Sequence, residues 1–141
     1  MKTNLSGLLL IISIIITSCN TTNQQAKTDL LTSTNWLEET KTVKDGESKW
    51  QEYHSFHKDG QYSLKANEMT VTGEWNWTDD NEIYLQFKNI EIEGSENNLG
   101  DQQNYYIKIL EVSENKLKTL ERFEGDDWDS GFAKERNFKA I

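Results

Sequence analysis

The stretch that decides the fold is MTVTGEWNWTDDNEIYLQFKNIEI, residues 69–92, in which two alternating segments flank a polar turn. Apolar residues or glycine occupy alternate positions: Val71, Gly73, Trp75 and Trp77 in the first segment, and Ile83, Leu85 and Phe87 in the first half of the second. Alternation with a period of two is typical of a β-strand with one buried face. Because Asp79, Asp80 and Asn81 favour a turn, the stretch is predicted to be a β-hairpin with strands at 69–78 and 82–92.

The second strand of this hairpin changes phase near its middle. Its apolar positions are odd-numbered up to Phe87 and even-numbered at Ile90 and Ile92. A β-bulge, which inserts one extra residue into a strand, shifts the inward-facing positions in this way. We therefore expect a bulge near Lys88 and Asn89.

Short alternating segments continue on both sides of the hairpin. Further strands are predicted at 35–43, 49–57, 61–66, 104–112, 116–123 and 131–141. Asp45-Gly46 and residues 58–60 are turn signals between them. Helical periodicity is weak, and its best candidate is the short segment 30–39. Eight strands separated by turns predict an all-β fold, a single up-and-down antiparallel barrel over residues 30–141, with room for side chains or one small ligand.

The amino-terminal residues have the composition of a secretory signal. Lys2 precedes an almost unbroken apolar run at 8–16. The run is shorter than the roughly 20 apolar residues that span a bilayer, and it matches the apolar core of a signal peptide. Residues 16–19, Ile-Thr-Ser-Cys, resemble the bacterial lipobox. This resemblance implies that 1–18 is a cleaved signal peptide and that Cys19 is lipid-modified.

Cys19 is the only cysteine of the chain, so it has no partner for an internal disulfide. Lipidation explains this lone thiol in an exported protein, and the alternative is an ordinary signal peptide with a chance cysteine. Acyl chains on Cys19 would anchor the protein at about 0.8 kcal/mol per buried CH₂. Residues 20–29 are polar without an apolar period, so 19–29 is predicted to be the lipidated cysteine with a flexible tether.

The destination of the anchor is inferred from the residue after Cys19. This residue is Asn20 rather than Asp. By resemblance to Gram-negative lipoproteins, the absence of Asp implies the outer membrane. We expect the protein in the bacterial cell envelope, facing the periplasm.

The chain is strongly acidic, with 24 Asp and Glu against 15 Lys and Arg and a formal net charge of −9. Nucleic-acid binding is set aside, because it depends on basic residues that neutralise phosphates. The same charge opposes adhesion to an anionic bilayer, which leaves the lipid on Cys19 as the membrane attachment. A basic protein partner would suit the acidic surface.

Several short segments carry a family resemblance through their order and spacing. They are Leu31, 34–37, 53–56, 59–62, 73–75, 83–85, 106–109 and Leu117. Over about residues 30–140, the chain resembles the small lipocalin-like domains of bacterial lipoproteins. The resemblance implies an eight-stranded barrel with a cavity for a small apolar or amphipathic molecule.

The lipocalin resemblance also implies a structural pair at one end of the barrel. In lipocalins a Gly-x-Trp motif opens the first strand, and this chain has Trp36 with Thr34 in the glycine position. The family's tryptophan plugs the barrel beneath an arginine of the last strand. The resemblance implies that Arg136, or else Arg122, packs on Trp36 in a cation–π contact worth about 0.5–2 kcal/mol.

Large apolar side chains on the predicted strands are candidates for a cavity wall, because such side chains line most ligand pockets. They are Trp50, Phe56, Tyr62, Trp75, Trp77, Leu85 and Phe87. Ordinary core packing is the alternative for all of them. Tyr53 lies on the opposite face of its strand from Trp50 and Phe56, so one of these faces meets water.

Metal ligation has little support in the sequence. His54 and His57, three residues apart in a predicted strand, point to opposite faces. The acidic loop at 125–130 fails the calcium-loop pattern, because the fifth position counted from Asp127 is Gly131 rather than an acid. No metal site and no cofactor are expected; the histidines are interpreted as polar strand residues and the loop as solvated.

Catalysis has no support in the motifs. The chain lacks a Gly-x-Ser-x-Gly nucleophile motif, and lipidation would consume its one cysteine. A hydrolase would instead require convergent carboxylates of perturbed pKa in a pocket. The sequence predicts a non-enzymatic, monomeric, lipid-anchored envelope protein that binds a small hydrophobic or amphipathic ligand. The alternative is an interaction protein, an inhibitor or assembly factor, that acts through its acidic surface.

Overall fold

The structure is a computed structural model and describes residues 17–39, 51–94 and 103–141. In these ranges the chain forms one α-helix, α1 (Thr17–Leu31), followed by eight β-strands. The strands are β1 (Asn35–Glu38), β2 (Glu52–Phe56), β3 (Gln61–Ala66), β4 (Met69–Asp79), β5 (Glu82–Ile92), β6 (Asn104–Val112), β7 (Lys116–Phe123) and β8 (Lys134–Ala140).

Each strand pairs antiparallel with the next one along the chain, and β8 pairs with β1 to close a barrel. At this seam Trp36 lies opposite Ala140, and Glu38 lies opposite Phe138. The predicted all-β, up-and-down antiparallel barrel is thus confirmed. Closure pairs both edges of every strand, which removes the exposed edge that an open sheet would present.

The observed strand boundaries agree best with the predicted ones where the alternation of apolar and polar residues is cleanest. Strands β3 to β7 lie within one residue of their predicted bounds. The described part of β1 ends at Glu38, earlier than predicted, and β8 begins at Lys134, three residues later than predicted. Residues 40–50, with the predicted Asp45-Gly46 turn, lie outside the described residues.

The predicted bulge in β5 is confirmed. Thr72 pairs with Asn89 and the next residue, Gly73, pairs with Phe87, so Lys88 is the extra residue. Beyond this step in register, the even-numbered Ile90 packs against the core. The change of parity in the sequence is therefore the direct consequence of this one residue.

Gly73 is required at the bulge because the backbones of β4 and β5 approach closely there. A Cβ atom at this position would lie 2.5 Å from the carbonyl oxygen of Gln86 and 3.3 Å from the Cα atom of Phe87. Real Cβ atoms essentially never approach another atom as closely as 2.5 Å, so a side chain at this position would force the backbone to shift. Glycine in a strand interior commonly marks such a close backbone approach.

The turns at 57–60, 80–81 and 113–115 lie at one end of the barrel, which we call the base. The helix α1 packs at this end. Leu31, the last residue of α1, is buried in the core. The indole Nε1 of Trp36 donates a hydrogen bond to the Leu31 carbonyl oxygen at 2.9 Å, and that of Trp77 donates to Thr28 Oγ1 at 2.9 Å. We call the opposite end of the barrel the mouth.

The expected flexible tether at 19–29 is instead part of α1. The helix lacks a clear apolar face, so its sequence gives little sign of it. Its carboxyl-terminal half is held by contacts with distant turns, because Lys27 Nζ donates to the Asp80 carbonyl oxygen at 3.0 Å and Asp29 pairs with Lys58 at 2.8 Å. Within the described ranges, no helix combines the length and apolar character needed to cross a membrane.

Candidate functional site

A cavity of about 220 Å³ lies inside the barrel on the side of the mouth. Its apolar wall comes from β3 to β8 and the end of β2: Phe56, Leu64, Met69, Val71, Leu85, Phe87, Ile90, Ile107, Leu117 and Phe138. Its volume lies between the roughly 150 Å³ that accommodates benzene and the roughly 300 Å³ of a small ligand pocket. The cavity therefore suits a compact molecule or one short chain.

The predicted cavity-wall residues divide into three groups. Four line the cavity: Phe56, Tyr62, Leu85 and Phe87. Trp75 and Trp77 do not line it; they lie nearer the base, where Trp75 Nε1 donates to the His57 carbonyl oxygen at 3.1 Å. For these two residues, core packing is the correct interpretation. Trp50 lies outside the described residues.

The predicted pairing of Trp36 with Arg136 is wrong. Trp36 is fully buried near the base, opposite Ala140. Arg136 precedes Ala140 by four residues on β8, or about 13 Å along the strand at the usual rise per residue. Its guanidinium instead binds glutamates at the mouth. Arg122, the second candidate, lies 4.3 Å from the ring centroid of Tyr106.

A ring of charged side chains lies at the mouth end of the cavity. Its centre is Arg136, whose NH1 lies 2.8 Å from Glu38 Oε2 and 3.1 Å from Glu52 Oε2. Arg136 Nε lies 3.0 Å from Glu121 Oε2. We call these four residues the charged collar. Their side chains are only 13–27% exposed, so the collar is a largely buried ion network.

The collar contains two more carboxyl groups than guanidinium groups, and its electrostatics reflect this excess. Burial raises the pKa of Glu38, because desolvation disfavours the charged form of its carboxyl group. The positive charge of Arg136 opposes this rise in pKa, and the interaction with Glu52 adds to the rise. Burial alone would lower the pKa of Arg136, but the charges of Glu121, Glu38 and Glu52 outweigh it and raise that pKa. Arg136 therefore stays cationic, and the carboxyl groups compete for it.

His54 lies beside the collar and is 6% exposed. Its Nδ1 is 2.7 Å from the hydroxyl of Tyr62, and its ring meets Phe138 edge-on at 4.9 Å between centroids. Its Nε2 is 3.4 Å from Glu52 Oε2 and has no hydrogen-bond partner among the described residues. The ring is thus fixed on one side, and Nε2 is directed toward the collar. His57 is exposed, so the two histidines are separated as the sequence predicts.

Sequence reasoning missed most of the polar groups inside the barrel. The sequence nevertheless indicates their position, because each of these polar residues lies an even number of residues from a buried apolar residue on the same strand. Glu38 follows Trp36 by two residues, Glu52 precedes His54 and Phe56, and Glu121 follows Leu117 and Thr119 on the same face. Period-two alternation places them inward, although charged residues are rarely expected there.

Comparison with known proteins adds no relative to this description. No family model, no curated protein and no solved structure matches the chain. The fold and site by themselves define a class: a closed all-β barrel whose interior cavity combines an apolar wall with a charged collar.

Proposed function

We propose that this protein is a lipid-anchored envelope protein whose barrel binds a small amphipathic molecule. The observation that carries the proposal is the cavity of about 220 Å³, apolar along its wall and charged at its mouth end. Burying the apolar part of a ligand against that wall would contribute about 25 cal/mol per Å² of apolar surface removed from water.

The collar favours an amphipathic ligand over a wholly apolar one. A wholly apolar molecule that covered the collar would remove water from its carboxylates without replacing the lost hydrogen bonds. A ligand with a hydrogen-bond donor at one end would satisfy those carboxylates while its apolar part contacted residues such as Leu85 and Phe138. The two chemistries of the cavity thus match the two ends of one molecule.

The same carboxylates do not form the acid–base pair of a typical glycosidase. Carboxylate oxygens of Glu38 and Glu52 lie within 4.8 Å of each other, whereas the two catalytic carboxyl groups of a glycosidase are separated by about 5 Å or more. Both are also bound to Arg136, and structural ion networks of this kind perturb pKa values without catalysis. We therefore favour binding over hydrolysis.

Filling the cavity tests the binding proposal. Val71→Phe places a larger side chain into the cavity and is expected to weaken binding of n-octylamine at least about tenfold, or about 1.4 kcal/mol. The matched control is Thr72→Phe, because Thr72 is the next residue of β4 and is exposed on the outer face. Native mass spectrometry of residues 19–141 carrying Cys19→Ser measures the binding. Equal binding by the two variants would contradict a ligand site in the barrel.

The membrane anchor has a separate test. Cells fed an alkyne-labelled fatty acid are expected to label the wild-type protein and the Thr21→Ser control, whereas Cys19→Ser abolishes labelling and releases the protein from the membrane fraction. The physical reason is that the acyl chains supply the membrane affinity. Labelling that persists in Cys19→Ser would contradict the anchor without affecting the ligand proposal.

A further inference from the structure

We propose that Glu38, Glu52 and His54 bind a divalent metal ion of the zinc type at the mouth end of the barrel. Each residue offers one ligand atom, and these atoms all lie within 4.8 Å of one another. The metal site requires no amphipathic ligand, although Glu52 and His54 line the same cavity and Glu38 and Glu52 belong to the collar that would receive the ligand's polar end.

The strongest support comes from the imidazole of His54. Its buried Nε2 has no hydrogen-bond partner in the described part of the chain, and leaving such an atom unsatisfied is costly. The other ring nitrogen, Nδ1, lies 2.7 Å from the Tyr62 hydroxyl. When Nδ1–H donates to that oxygen, the lone pair of Nε2 is free to bind a metal. Metal-binding histidines are typically held by such a hydrogen bond through their other nitrogen.

The distance between His54 and Glu52 fits a shared metal better than a direct contact. Nε2 and Oε2 are 3.4 Å apart, which is long for a hydrogen bond. Two ligand atoms bound to tetrahedral zinc at about 2.0–2.1 Å would be separated by about 3.4 Å. Glu38, whose carboxylate oxygen lies within 4.8 Å of the ligand atoms of Glu52 and His54, supplies the third ligand. A position facing the cavity remains for water or another ligand.

The charges of the collar also favour a dication. Three glutamates and one arginine leave an excess of two negative charges when all are ionised, and a divalent ion would neutralise them. Arg136 repels a nearby cation, but Glu121 binds the Nε of Arg136 and offsets that repulsion. Arg136 also orients the carboxylates of Glu38 and Glu52, as outer residues do around established metal sites. Nitrogen and oxygen ligands together suit zinc rather than calcium or magnesium.

Zinc titration of the full chain, purified in detergent and stripped with a chelator, tests this site. Isothermal titration calorimetry is expected to show one zinc ion per chain. His54→Gln is expected to weaken binding at least about tenfold, because losing a ligand should cost no less than losing an outer partner. His57→Gln is the matched control, since His57 is the only other histidine and is exposed. It should bind as the wild type does.

A second measurement needs no substitution and so remains decisive if His54→Gln fails to fold. Cobalt(II) bound to the wild-type chain is expected to give the intense visible absorption of a tetrahedral site with nitrogen and oxygen ligands. The weak spectrum of an octahedral ion would overturn the proposal, because it would indicate adventitious binding to surface carboxylates. The proposal would also be overturned if the wild-type chain bound no stoichiometric zinc, or if His54→Gln and His57→Gln lost zinc affinity equally.

Discussion

Replacing Trp36 with alanine is expected to lower the free energy of unfolding by about 3–5 kcal/mol, the usual cost of removing a buried aromatic side chain. Trp36 is 0% exposed and packs in the core at the base of the barrel. Its indole also bonds the Leu31 carbonyl oxygen, so the substitution removes a link between α1 and the barrel. In the described residues β1 contains four residues and has three paired positions with each neighbouring strand, so the loss falls on a short ladder.

Urea unfolding followed by far-ultraviolet circular dichroism would measure this effect. Trp36→Phe keeps most of the bulk but loses the hydrogen bond, and it should cost less than Trp36→Ala. Trp128→Ala is the control, since Trp128 lies outside the core, where its ring contacts Lys108 and Arg122. A Trp36→Ala variant no less stable than Trp128→Ala would show that the base does not depend on this side chain.

Replacing Arg136 with methionine is expected to cost about 3–5 kcal/mol, because it leaves buried carboxylates without their cation. Arg136 contacts Glu38, Glu52 and Glu121, and its side chain is 27% exposed. The loss should exceed that from removing a surface ion pair. Lys118→Met provides that comparison, because Lys118 pairs with the half-exposed Glu135 and should contribute no more than about 1 kcal/mol.

A rescue experiment separates charge from packing at Arg136. Adding Glu38→Gln, Glu52→Gln and Glu121→Gln to Arg136→Met removes the unpaired charges and should restore most of the lost stability. Both proteins should be unfolded in urea with a chelator present, so that bound metal does not contribute. If the quadruple variant were no more stable than Arg136→Met, the collar would not act through its charges.

The barrel could be predicted from the sequence because its determinants are local. Alternation in β4 and β5 and the turn between them can be recognised within 24 residues, and the parity change after Phe87 locates the bulge. When hairpins are joined in sequence order, few sheet topologies remain. Closing the sheet into a barrel is the one that leaves no exposed edge strand.

The collar could not be predicted in the same way, because its partners meet only after the barrel closes. Glu38 and Arg136 are 98 residues apart in sequence, and only the pairing of β1 with β8 brings them together. Parity could place each glutamate inside the barrel but could not choose its partner. The helix α1 was missed for a similar reason, because distant turns hold it. The family resemblance places the arginine of the last strand on Trp36, whereas the register of β1 with β8 puts Ala140 opposite Trp36 and Arg136 four residues away.

The seam between β1 and β8 has a consequence for folding. All other strand pairs join consecutive segments, so they can form hairpin by hairpin at a small cost in chain entropy. The seam alone joins residues near the two ends of the barrel domain, and we infer that it forms last. In the described residues β1 has three paired positions with each neighbour, so partial unfolding should begin there. Detachment of β1 would expose the edges of β2 and β8. At these edges the barrel could exchange a strand with a second copy of the chain.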